Sequence, residues 1–160
     1  MFNSLQYKKS HGGGCMNLPE YVTAQEVRRV CRELGIRDWS RLKKPAITSN
    51  EATRILKELD TQGMKIDIEQ FRAGLEVELE HGIMFKAYNV TNNHPILTGK
   101  IVLAHFMENL DYYRRLEVME LEGDLFKAIA GGNIVKARKY MKRFSAAKTG
   151  LAEAEGRQLK

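Results

Sequence analysis

The 160-residue sequence is poor in the residues that break or staple a chain. It has three prolines and two cysteines. So few prolines leave long stretches free to be helical. Cys15 and Cys31 cannot build a disulfide framework, and they lie too far apart for a C-x-x-C site. They read as two reduced thiols, with Cys31 packed on a helix face. No stretch approaches the roughly 18 consecutive apolar residues of a membrane span. The first residues carry no apolar h-region of a secretory signal, so the expected location is cytoplasmic and no membrane partner is expected. No serine sits in an elbow motif, and neither cysteine has a sequence-marked His partner, which argues against a nucleophilic triad. What remains is an ordinary globular composition, 43% hydrophobic and 29% charged, long enough for one domain with a real core.

The net charge of +6 is unevenly spread. Residues 1–66 carry 12 basic against 7 acidic side chains, residues 67–126 carry 5 against 11, and residues 127–160 carry 9 against 2. The acidic middle would draw a cation and the basic end a polyanion.

Residues 1–15 contain Gly12 to Gly14 and show no periodicity, so they read as a flexible arm. A G-rich codon run just before Met16 also resembles a translated ribosome-binding site, which makes Met16 a candidate start. From there to residue 130 the pattern is that of a helical core. Thr23 and Glu26 have capping-box spacing ahead of the stripe Val27, Val30, Cys31 and Leu34, and Gly35 ends that helix. Trp39 reads as a core anchor. A second helix near Ser49–Leu59 turns Ala52, Ile55, Leu56 and Leu59 to one side. About a dozen residues separate the pair, too many for a DNA-reading helix-turn-helix.

Asp67 and Gln70 are spaced to cap a third helix that ends at His81 and Gly82, with Ile68, Phe71, Leu75 and Leu79 inward. Asn93 is placed to cap a fourth, Pro95 to Glu108, apolar on nearly every side and therefore expected at the centre of the bundle. Asp111 opens a long fifth helix expected to face Tyr112, Leu116, Met119, Phe126 and Ala130 inward, with Gly123 marking a close helix contact. Gly131 and Gly132 break the chain, and Asn133 caps a basic amphipathic helix over residues 131–150. There Ile134, Ala137, Met141 and Phe144 recur at helical spacing. Residues 151–160 read as a polar, frayed tail. The expected fold is all-α: a single compact bundle of five or six helices.

One constellation has the look of chemistry. Glu78 and His81 lie three apart on the third helix, and His105 and Glu108 three apart on the fourth. E-x-x-H places a carboxylate and an imidazole on adjacent turns of one face, as helical bundles do when they hold metal centres. If the two helices pack antiparallel, all four side chains converge, and two imidazoles with two carboxylates suit iron, manganese or zinc. Asp111 or Tyr112 would orient a ligand from behind. Only one pair has the E-x-x-H order, so a single ion is expected rather than a dinuclear centre. The alternative is a buried polar network in which the histidines bridge Glu78, Glu108 and tyrosine hydroxyls and set helix register without catalysis.

The stretch around these residues resembles an uncharacterised domain family of bacteria, archaea and phages. Its pattern runs roughly QFxxGLEVELEHG, then TGKIALAHLxExPDYYxRLxxME. The matching residues include Phe71, Gly74, Glu78, His81, Gly82, Thr98, Gly99, Lys100, His105, Glu108, Asp111, Tyr112, Tyr113 and Leu116. Val102, Phe106 and Leu110 depart from it. The resemblance implies a helical domain and no established activity, and its phage members suggest a virion-associated structural role. The basic last helix lies outside it. For that helix the rival expectations are a solvated face that completes the bundle, docking on a partner protein or another copy, and weak nucleic-acid contact through residues 133–148.

Overall fold

A computed structural model describes residues 22–159. The readings of the arm, of Met16 as a start and of Cys15 fall outside them. The described residues contain six α-helices and no strand: α1 Ala24–Leu34, α2 Ser49–Lys57, α3 Ile68–Met84, α4 Pro95–Glu108, α5 Tyr112–Ala130 and α6 Ile134–Gln158. One 3-10 turn, Trp39–Arg41, joins α1 to α2, and a second, Lys86–Tyr88, lies between α3 and α4.

The core forms where the stripes of α1 to α4 meet. Val27, Trp39, Ala52, Ile55, Phe71 and Val102 are fully enclosed, and Cys31, Leu75, Leu79 and Phe106 pack among them. Burial of this kind is the main favourable term in folding. Trp39 is the expected anchor, and its indole Nε1 donates to Glu51 Oε1 at 3.4 Å. Glu51 closes a full capping box with Thr48 and takes a two-point contact from Arg37, at 2.9 and 2.6 Å. The sequence instead suggested capping boxes at α1 and α3. At both, the cap side chain (Thr23, Asp67) accepts from a backbone N–H, and Glu26 turns to Arg29.

Several boundaries and faces differ from expectation. The third helix continues past Gly82 to Met84. The cap of α4 is His94, whose Nδ1 accepts the Leu97 N–H at 3.3 Å, while Asn93 sits in left-handed backbone with φ 60°. Only one side of α4 is enclosed, Thr98, Val102, Leu103 and Phe106; Lys100, Ala104, Met107 and Glu108 are exposed. It is a half-buried layer rather than a central rod. Gly123 has open space where a Cβ would stand, so it marks no close contact.

The largest difference is at α5 and α6. On α5, Met119, Phe126 and Ala130 are exposed, and the buried positions are Tyr113, Leu121, Leu125 and Ala128. The helix instead pairs along its length with α6, its principal neighbour. Asp111, Arg114, Val118, Leu121, Leu125 and Ala128 recur at steps of three and four. So do Ala137, Tyr140, Phe144, Ala147, Leu151, Ala154 and Gln158 on α6. This is the seam of an antiparallel helical hairpin. Gln158 donating to Asp111 and Arg115 paired with Glu155, both at 2.5 Å, fix its register at the end nearest the core. The residues read as a frayed tail are helical to Gln158 because this end of the seam holds them.

Burial holds the His94 imidazole below its usual range, with Glu26 opposing and Arg29 assisting. The unfolded chain therefore takes up this proton first as pH falls. Stability is full above about the unperturbed value of 6.5 and declines below it. His94→Asn keeps a cap acceptor and should flatten the dependence of the urea midpoint between about pH 7 and 5.

Candidate functional site

Of the four proposed ligands, the structure brings two together. Glu78 stands on the side of α3 that meets α4 and α5, and its Oε1 lies 3.6 Å from His105 Nε2. The same oxygen accepts a hydrogen bond from the Tyr113 hydroxyl at 2.9 Å. Both partners are mostly sheltered, with 16% of the Glu78 side chain and 27% of the His105 side chain exposed. The His105 ring stacks on Tyr112, centroids 4.0 Å apart and planes 11° from parallel, and meets the Tyr113 ring edge-on. Its Nδ1 is buried without a hydrogen-bond partner.

The other two residues stand apart. His81 is exposed in the last turn of α3, tilted over Phe85 at 6.5 Å. It lines a groove of about 320 Å³ with Glu80, Glu120 and Asp124, so it looks toward α5 rather than α4. Glu108, the last residue of α4, is exposed and makes no ion pair among the described residues. Among the described residues, no group of three or more His, Cys, Asp or Glu side chains is placed to hold a metal ion. Tyr112 does contact His105, as expected of a supporting residue. Asp111 instead accepts from Gln158, at the edge of a cleft of about 250 Å³ on the far side of α5.

The residue that sequence reasoning passed over is Tyr113. Burial, with the Glu78 carboxylate beside it, pushes its hydroxyl well above the usual tyrosine range, so it acts as a hydrogen-bond donor. Its position also explains Gly74. A Cβ on Gly74 would stand 2.5 Å from Tyr113 Cε2 and 2.7 Å from Val102 Cγ1, so α3 admits both neighbours only where it has no side chain. Gly74, Glu78 and Tyr113 thus form one contact at which α5 is fastened to the bundle.

Residues 27–122 match a family described as protein of unknown function (DUF5661). The chain belongs to this family. The DUF5661 match begins within α1, takes in α2 to α4 and the whole Glu78–His105–Tyr113 cluster, and ends within α5. The outer part of α5 and all of α6 lie beyond it. No curated protein and no solved structure matches the chain. Among the described residues, no helix is long and apolar enough to cross a membrane.

Proposed function

We propose that this DUF5661 protein is a non-enzymatic interaction module, a helical core that holds out the α5–α6 hairpin to a partner. The observation that carries the reading is the hairpin's outer surface. Met119, Phe126, Ile129, Ile134, Val135 and Met141 are each more than half exposed, on two helices that otherwise close a regular seam. Apolar surface gathered on one element is characteristic of docking sites. Residues 134–148 of α6 carry six basic and no acidic side chains, so the partner it fits has an apolar stripe with acidic flanks. Nucleic-acid contact through residues 133–148 would use those lysines and arginines but leave the apolar side chains in water.

In this reading Glu78, His105, Tyr112 and Tyr113 are a polar clamp. Tyr113 and His105 share one carboxylate between three helices, which fixes the angle at which α5 leaves the bundle. The competing reading is an iron, manganese or zinc ion held by Glu78, His81, His105 and Glu108. One variant separates them. With a clamp, His105→Ala should lower unfolding free energy by about 1–3 kcal/mol through lost stacking and an under-used carboxylate. Untagged protein purified from cells should then carry no stoichiometric metal by elemental mass spectrometry. About one equivalent of metal in the wild type, absent from His105→Ala, would replace the clamp with a metal centre.

A further inference from the structure

The cleft at the base of the hairpin holds charge that the fold does not use. It opens where the segment entering α3, the end of α4, the start of α5 and the last turns of α6 meet, and it measures about 250 Å³. Lys65, Arg114 and Arg157 line it, each from a different one of these segments. None of the three makes an ion pair or a side-chain hydrogen bond among the described residues. Arg37, Arg72 and Arg115 each close an ion pair with a glutamate. Arg114 and Arg157 do not, although two carboxylates share their cleft. Both carboxylates are committed elsewhere. Asp67 Oδ1 accepts the Glu69 N–H at 2.8 Å as the cap of α3, and Asp111, 5% exposed, accepts from Gln158.

The rest of the lining suits a ligand. Gln70 stands three residues after Asp67, the spacing of a capping box, yet it does not close one and lines the cleft instead. Ile66, Phe106, Leu110 and Ala154 supply apolar lining beside it. Sites for small molecules are built this way, an apolar surface with a few polar groups that fix orientation. A cleft with unpaired charge of one sign concentrates its potential and draws the opposite charge. We propose that this cleft binds a small organic anion, a phosphate or carboxylate group on a short apolar body. Guanidinium groups match the oxygens of either one. The volume lies below the roughly 300–1,000 Å³ of drug-sized ligand pockets, so the ligand is small.

The site is complete only with α6 in place. Lys65, Gln70 and Arg114 fall within the matched residues 27–122, and Arg157 and Gln158 lie beyond them. A bound anion ties the last turns of α6 to the core, at the end of the seam where Gln158 with Asp111 and Arg115 with Glu155 set the register. The inference stands apart from the docking reading above, because it asks for no partner on the outer surface of the hairpin.

The test titrates phenyl phosphate, benzoate and inorganic phosphate into the full chain at low ionic strength, followed by backbone amide NMR shifts. Arg157→Gln and Lys65→Gln are measured beside the wild type. Both side chains are exposed, so each variant should keep its helical circular dichroism. The expected result is saturable shifts at Gln70, Arg114 and Gln158, with an aryl anion bound more tightly than inorganic phosphate. Each variant should bind that anion about tenfold more weakly, the scale of one lost hydrogen bond to a charged group. A preference for phenyl phosphate or for benzoate then names the anionic group the cleft takes. Three outcomes overturn the proposal. One is no saturable shift with any of the three probes. Another is binding that both variants leave unchanged, or that inorganic phosphate matches. The third is shifts centred on Lys136, Lys139 and Arg143, which would mark general attraction to the basic helix and not a site in the cleft.

Discussion

Glu51→Ala should lower the unfolding free energy by about 3 kcal/mol, the scale of a buried charge pair broken from one side. The carboxylate is 4% exposed and serves four groups at once: the Arg37 guanidinium, the Thr48 N–H and hydroxyl, and the Trp39 indole. Removing it leaves the enclosed indole N–H without an acceptor and unlocks the start of α2. Arg37 is half exposed and can turn to water, which keeps the loss from rising further. Burial alone would raise the Glu51 carboxyl; the Arg37 guanidinium and Thr48 outweigh it and hold it down at about 2. Because the folded value is depressed, the stabilisation is complete above the ordinary value of 4.5 and drains away as pH falls toward 2. Denaturant midpoints of wild type and Glu51→Ala should differ widely at pH 7 and converge near pH 2. A constant gap across that range would show that packing, not charge, accounts for the effect.

Gly74→Ala should cost about 2 kcal/mol. The added methyl would overlap the Tyr113 ring and Val102, both deep in the structure, and overpacking of that kind costs roughly 1–3 kcal/mol or more. The gain in helix propensity returns up to about 1 kcal/mol. Gly123→Ala is the matched control. It is also helical but has nothing within 4 Å, so it should stabilise by about 0.5–1 kcal/mol. Opposite signs for two glycine-to-alanine changes would locate the tight contact at Gly74. A stabilised Gly74→Ala would mean that α5 can shift outward without loss, and the clamp at Glu78 would fall with it.

The first three helices were legible because each carries one apolar stripe, whereas α4, apolar on nearly every side, gave no sign of which side would be enclosed. Val27 with Cys31, Ile55 with Leu59, and Phe71 with Leu75 point where their spacing says. On α5 that logic fails, since the helix has two apolar stripes. Tyr112, Leu116, Met119 and Phe126 make one, Tyr113, Leu121, Leu125 and Ala128 the other, and spacing alone does not rank them. Only the partner helix does so, by presenting Ala137, Tyr140, Phe144 and Leu151 at matching steps. At the cluster the sequence placed Glu78 and His81 on one face, which a helix guarantees to within about 60°. That arc is wide enough to leave Glu78 between α4 and α5, against His105 and Tyr113, and to carry His81 out to the exposed groove beside Glu120 and Asp124. Asn93 lost the cap of α4 to His94 for a similar reason, since two adjacent residues both carried an acceptor and the backbone used the second.

The pairing of α6 with α5 also has a consequence for the order in which the fold is made. The core ends at Tyr113, and every contact that fastens it is encoded before the hairpin turn at residues 131–133. At about 5–20 residues per second, the 25 residues of α6 take roughly one to five seconds to synthesise. Until α6 has folded back, Leu121 and Leu125 have no cover, and the unpaired α6 of another copy fits the seam as well as the chain's own. On a busy messenger this hairpin is the point at which two growing copies can exchange a helix.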